Sequence, residues 1–244
     1  MTKTPSDSRF HTTQWSLISG AKEVGTRGEH ALKELFEIYW APIYAYARRS
    51  GLTSPDAEDA VQGFFLTAFK RELFAKATPE RGRLRSLLLT SFKRYLIDIS
   101  AEQKAQKRHP EGSLPFLDID AIEERVFESE RTDESPKTLF DREWANAILD
   151  QALRRLRLRY EKEGHMKLFE TLRPHLSHPD LNSSYEALAD SLGMKTSAVG
   201  VALHRMRKRY REAMRETICE TLEAEAEAED EFKELARILT QTPL

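Results

Sequence analysis

Cysteine is nearly absent: Cys219 is the one cysteine in 244 residues. That excludes an internal disulfide framework and a cysteine-built zinc site, and it fits a reducing compartment. No apolar run is long enough to span a bilayer and no signal-peptide pattern opens the chain, so a soluble cytoplasmic chain without membrane insertion is expected. A surplus of either charge is missing too. The 38 Lys and Arg residues face 40 Asp and Glu, a formal net charge of −2, so any surface for a polyanion has to be local. No phosphate-cradling glycine loop, nucleophile–base set or metal cluster stands out. The chain is therefore not read as an enzyme, and no catalytic residue, metal or cofactor is assigned.

What is present is segregated charge on helical periodicity. Residues 81–108 are basic, 111–134 acidic, 195–215 basic and 216–234 strongly acidic. The length allows two small domains. The expected fold is all-α: two small helical domains joined by an acidic linker, the second ending in a helix-turn-helix. The expected bounds are a loose polar N-terminus (1–12), a first domain (13–109), a linker (110–137), a second domain (138–220) and an acidic extension (221–244).

In the first domain a short helix around Trp15 is expected, broken by Gly25 and Gly28. A long amphipathic helix follows over 29–49, with Leu32, Leu35, Phe36, Tyr39, Ile43 and Ala47 on one face. Pro42 inside it is expected to bend or split it. Thr53 or Ser54 caps the next helix, with Pro55 at its first position and Asp56, Glu58 and Asp59 in its first turn. Those carboxylates read as helix-start and surface groups, because neighbours on a helix point about 100° apart and no partner for acid–base chemistry lies near. Leu84, Leu88, Phe92, Tyr95 and Ile99 form a further buried stripe, and Arg85, Leu89 and Lys93 recur on another face.

The linker is marked by Pro110, Gly112, Pro115 and Pro136 around an acidic run, with one short helical turn expected over 122–127. Beyond it, Leu139, Phe140, Trp144, Ile148, Ala152 and Leu156 predict a long helix. His165, His175 and His178 read as surface histidines, since no cysteine lies near and only Asp180 is at hand to complete a tetrahedral set. The extension ends in a helix carrying Phe232, Leu235, Ile238 and Leu239. It has three readings: folding back on the second domain to compete with a polyanion there, holding a regulator, or staying mobile.

The most informative stretch is SSYEALADSLGMKTSAVGVALHRMRKRYREAMR, residues 183–215. Tyr185, Leu188, Ala189 and Leu192 mark one helix and Gly193 its end; Val199, Ala202, Leu203, Met206 and Tyr210 mark the next. A small residue at the crossing and a glycine at the turn are the spacing of a helix-turn-helix, whose second helix usually enters the DNA major groove. Lys195, His204, Arg205, Arg207, Lys208, Arg209, Arg211 and Arg215 concentrate positive charge on that second helix and beyond. Phosphate neutralisation would supply affinity, and short polar residues at its amino end would read base edges.

The segments YWAPIYAYARRSG (39–51), DAEDAVQGFF (56–65) and RGRLRSLLLTSFKRYL (81–96), followed by this helix-turn-helix, resemble in their order the extracytoplasmic-function sigma factors. WAPIYAY and QGFF look most like the planctomycete-type branch. The resemblance covers about residues 13–220. It implies a promoter-recognition subunit with core RNA polymerase and promoter DNA as partners, no catalytic residues, and room for an anti-sigma protein. It implies that Asp56, Glu58, Asp59, Gln62 and Phe65 dock on the polymerase. It assigns Arg81, Arg83, Arg85, Lys93 and Arg94 to the −10 element. Lys195, Thr196, Ser197, Gly200, His204, Arg205, Arg207 and Lys208 go to the −35 element. Three departures stand out: Leu84 where the family often has phenylalanine, KRHPEG in place of KRGG, and Gly200 where lysine or arginine is frequent. The alternative on the residues alone is a free-standing helix-turn-helix regulator with a partner-sensing amino-terminal domain.

Overall fold

The computed structural model describes residues 26–70, 84–103, 119–131, 133–176, 185–219 and 225–241. Among them the chain is all-helical, with nine α-helices, one short 3-10 turn and no strand. The helices are α1 (Thr26–Arg49), α2 (Ser54–Lys70), α3 (Leu84–Gln103), α4 (Ile119–Arg131), α5 (Pro136–Lys162), α6 (Met166–Leu172), α7 (Tyr185–Leu192), α8 (Thr196–Cys219) and α9 (Glu225–Gln241). The expected short helix around Trp15 lies outside the described residues. Chain contacts divide the molecule into two compact units, residues up to Trp144 together with those from Cys219 onward, and Ala145–Ile218.

In the first unit α1 is the central element. Leu35, Ile38, Tyr39, Trp40, Ile43 and Tyr44 are all buried along it, a stripe wider than one face because helices cover it on several sides. Pro42 neither ends nor splits α1, which runs continuously through it. The start of α2 is fixed by a reciprocal cap: the Asp56 amide donates to Thr53 Oγ1 at 3.3 Å and the Thr53 hydroxyl donates to Asp56 Oδ2 at 2.7 Å. Phe64 and Phe92 interlock α2 with α3, their rings 5.2 Å apart at 71°, an edge-on arrangement that ring quadrupoles favour.

The acidic segment between the expected domains departs from the linker reading. Its 13-residue helix α4 packs on α1, burying Ile122 and Val126 one helical turn apart. Glu123 secures it: Arg48 Nε and Nη2 donate to its two carboxylate oxygens at 2.7 and 2.8 Å, and the Tyr44 hydroxyl also donates to Oε1. Arg48 is the chief cause of a Glu123 carboxyl held below the usual range, while burial pushes the Tyr44 hydroxyl up. Further on, Arg125 grips the buried Glu143 with two hydrogen bonds of 2.7 Å. An acid-rich, proline-flanked stretch thus folds because its charged side chains find opposite charges on neighbouring helices.

Of the three readings of the extension 221–244, the one that folds it back on the second domain is not what is found: α9 belongs to the first unit, with Leu235 and Ile238 buried.

The second unit has its own core of Leu156, Tyr160, Phe169, Leu172, Leu188, Ala189, Val199, Leu203 and Met206. Burial of Leu203 alone is worth about 2 kcal/mol by transfer bookkeeping. The turn from α7 to α8 follows from one residue. Gly193 has φ +64°, its amide donates to Asp190 O at 3.3 Å, and the Met194 amide donates to Ala189 O at 2.9 Å. These paired bonds close the last turn of α7, and the left-handed residue they need is cheapest without a Cβ. The same closure at the end of α4 is made by Asp133, at φ +52°, where no glycine is available.

Candidate nucleic-acid interface

Helix α8 is amphipathic in a way that leaves one long side open. Val199, Leu203, Met206 and Ala213 are buried on one side, while Lys195, Thr196, Ser197, Val201, His204, Arg205 and Lys208 are exposed on the other. The exposed positions 197, 201, 204, 205 and 208 recur at three- and four-residue spacing, so they form one stripe. The carbonyl of Lys195 starts the helix by accepting from Ala198 at 2.8 Å and Val199 at 3.2 Å. The first residues of the stripe therefore stand at the positive end of the helix dipole.

Charge on this stripe is available to a ligand. Among the described residues, the side chains of Lys195, His204 and Arg205 make no hydrogen bond or ion pair. Lys208 has a 3.9 Å pair with Glu212, both ends well exposed, which solvent screening leaves weak. Glu212 and Glu216 also lie within 4.0 and 3.7 Å of Arg159, so these acids face α5 as well. Gly200 sits in open space, where a Cβ would meet nothing within 4 Å. An open groove of about 490 Å³ runs beside the helix, lined by Leu168, Met194, Ala198, Val201, Ala202 and Arg205 among others.

Two arginines of α8 have structural duties. Arg207, expected to touch the −35 element, donates from Nη2 to the carbonyl of His175 at 2.8 Å and is only partly exposed. Its position between the open and buried sides accounts for this. Arg209 donates to Glu163 at 2.7 Å and lies 5.2 Å from the Tyr160 ring centroid. Burial pushes the Tyr160 hydroxyl up, and burial does the same to Tyr210, to about 12. Both are packing tyrosines; Tyr210 donates to the Leu149 carbonyl at 3.1 Å. Val201, half-exposed on the stripe, was not singled out by sequence reasoning. Its signal was there, since it lies four residues after Ser197 and four before Arg205.

The residues expected at the −10 element separate. Arg81 and Arg83 lie outside the described residues. Lys93 and Arg94 are exposed on α3, with Lys93 Nζ 5.5 Å from the Tyr46 ring centroid. Arg85 corrects the expectation of an open cation: it is 7% exposed. Its Nη1 donates to Asp141 at 3.1 Å, its Nη2 lies 3.6 Å from Glu231 and 3.8 Å from Glu234, and its guanidinium covers the Trp144 ring at 4.3 Å.

Of the expected docking residues, Asp56 is exposed but engaged in the Thr53 cap, and Glu58, Asp59 and Gln62 are partly exposed along α2. Phe65 corrects the expectation, being 2% exposed with its ring 4.8 Å from that of Phe36. A phenylalanine on the inner side of α2 is core.

His165 is exposed, His175 is buried, and His178 lies outside the described residues. Among the described residues no group of three or more His, Cys, Asp and Glu side chains is placed to hold a metal, and no helix is long and apolar enough to cross a membrane. No protein-family model, curated protein or solved structure matches the chain.

Proposed function

We propose that this chain is a DNA-reading transcription protein, with α7 and α8 acting as a helix-turn-helix. The observation that carries the reading is the open stripe of α8, where short polar residues at a helix start are followed by the unpartnered Arg205 and the weakly paired Lys208 and backed by a buried opposite side. Arg205 and Lys208 would take phosphates or guanine edges. Thr196, Ser197 and His204 supply hydrogen-bonding groups for bases, and Val201 an apolar contact of the kind that suits a thymine methyl.

Within that class, the ordered sequence segments favour a sigma factor of the extracytoplasmic-function type, working in the cytoplasm with core RNA polymerase. On this reading the exposed acids and Gln62 of α2 dock on the polymerase. Lys93 and Arg94 of α3 face the −10 element, and α8 reads the −35 element. The deciding experiment measures duplex binding with and without core polymerase. A sigma factor binds promoter poorly alone and gains affinity in the complex. A free-standing regulator binds operator alone, as a dimer with symmetric half-sites. Dimeric binding that polymerase leaves unchanged would replace the first reading with the second.

A further inference from the structure

Beside the open stripe of α8 the core of the second unit comes to the surface. Ala198 and Ala202, one helical turn apart on the same face of α8, carry too little side chain to cover it. Leu168 of α6 and Met194 of the turn before α8 share the lining, and these two with Ala202 pack against the buried cluster that includes Leu203 and Met206. What remains is the groove of about 490 Å³, a volume typical of small-ligand sites, with hydrocarbon along much of its wall. Its charged groups are unevenly matched. Arg209 is held by Glu163 at 2.7 Å, and Glu163 is the only carboxylate among the residues that line the groove. Arg205 is exposed there and makes no hydrogen bond or ion pair among the described residues. The groove thus offers an apolar wall and one uncommitted guanidinium.

We infer that this groove binds a small amphipathic carboxylic acid, with its carboxylate on Arg205 and its hydrocarbon body over Ala198, Val201 and Ala202, and that the bound acid excludes DNA. The inference rests on the DNA reading above and adds a ligand that regulates it. A planar guanidinium takes a carboxylate through two parallel N–H···O bonds, and a single free cation suits a single negative charge. Covering the alanine face with hydrocarbon removes apolar surface from water, which supplies the rest of the affinity. Arg205 and Val201 belong to the groove and to the stripe alike, so acid and duplex compete for the same side chains. Such competition lowers the apparent duplex affinity roughly tenfold when the free acid stands at about ten times its Kd.

The test uses the full chain, with octanoate and naphthoate as acids and octanol as the uncharged control. Calorimetric titration reads the site, and the anisotropy of a labelled DNA duplex at low salt reads the competition. At least one acid should bind, octanol should bind roughly tenfold more weakly than octanoate, and Arg205→Ala should remove that difference. Ala198→Phe fills the groove from a position outside the DNA stripe, so it should abolish acid binding while duplex binding stays. Should Ala198→Phe fail to fold, the comparison of octanoate with octanol in wild type and Arg205→Ala decides by itself. Duplex binding with no binding of either acid overturns the inference and leaves the DNA reading standing, as does acid binding that Ala198→Phe retains or that leaves duplex affinity unchanged. Equal binding of octanoate and octanol, indifferent to Arg205→Ala, also overturns it and points to an apolar partner segment as the occupant. Absence of duplex binding in wild type, with or without the acids, overturns the DNA reading and the competition with it.

Discussion

Glu123→Ala tests whether the acidic segment before α5 is a folded part of the first unit. The substitution removes one hydrogen bond from Tyr44 and two from Arg48, the latter at 2.7 and 2.8 Å. Charge-assisted bonds contribute about 1.5–3 kcal/mol each when buried. Here the Arg48 and Glu123 side chains are 21% and 29% exposed, so solvent recovers part of the loss. Tyr44 keeps its 2.7 Å bond with Ser54, and Arg48 keeps the Leu52 carbonyl. The expected cost is about 2 kcal/mol. Glu124→Ala, one exposed position away, should stay within about 0.5 kcal/mol of wild type.

Denaturant unfolding followed by tryptophan emission isolates this unit, because all three tryptophans precede the division at Ala145. Trp40 stacks on Tyr44 itself, with ring centroids 4.8 Å apart. The pH dependence has a definite sign. Glu123 is held below its ordinary range in the folded chain, so its contribution is complete above the unfolded value and is lost as pH falls through the folded one. The gap between wild type and Glu123→Gln should therefore close in acid. Equal midpoints for Glu123→Ala and Glu124→Ala would refute the reasoning and return the segment to a tether.

Other substitutions separate recognition from packing. Arg205→Ala and Lys208→Ala should each weaken duplex binding and lower the salt slope by about one, whereas Arg207→Ala should act mainly on thermal stability. Gly193→Ala should cost about 1 kcal/mol in unfolding free energy because φ is +64°; Gly200→Ala, in an open helix interior, should stabilise by about 0.5–1 kcal/mol. Asp133→Gly relieves a left-handed non-glycine and should raise the first unit's stability by up to about 1 kcal/mol, since its exposed 3.6 Å pair with Arg49 contributes little. Glu134 is pushed up by burial, opposite to Glu123, so Glu134→Gln should be neutral or stabilising near neutral pH and the difference should shrink as pH falls.

Local periodicity made much of this architecture legible. The cap at Thr53, the stripe along α3 and the Gly193 turn between α7 and α8 all follow from residues within a few positions of one another. What sequence reasoning misplaced depended on distant partners. Helix α4 is held by Arg48, 75 positions before Glu123, so its acidic composition read as a linker. Arg85 sits in a run of basic residues and read as an open cation, but Asp141 lies 56 positions on and α9 closes over it from the end of the chain. Arg207 and Arg209 share a basic run with Arg205; only the fold shows that Arg209 turns to the end of α5 and Arg207 to the turn after α6.

The central claim is tested most directly by transcription in vitro with purified core RNA polymerase and genomic fragments as templates. The account predicts promoter-specific transcripts that require this chain and diminish with Arg205→Ala. No specific transcript under any of several salt conditions, with the chain folded and the polymerase competent with another specificity subunit, would contradict it.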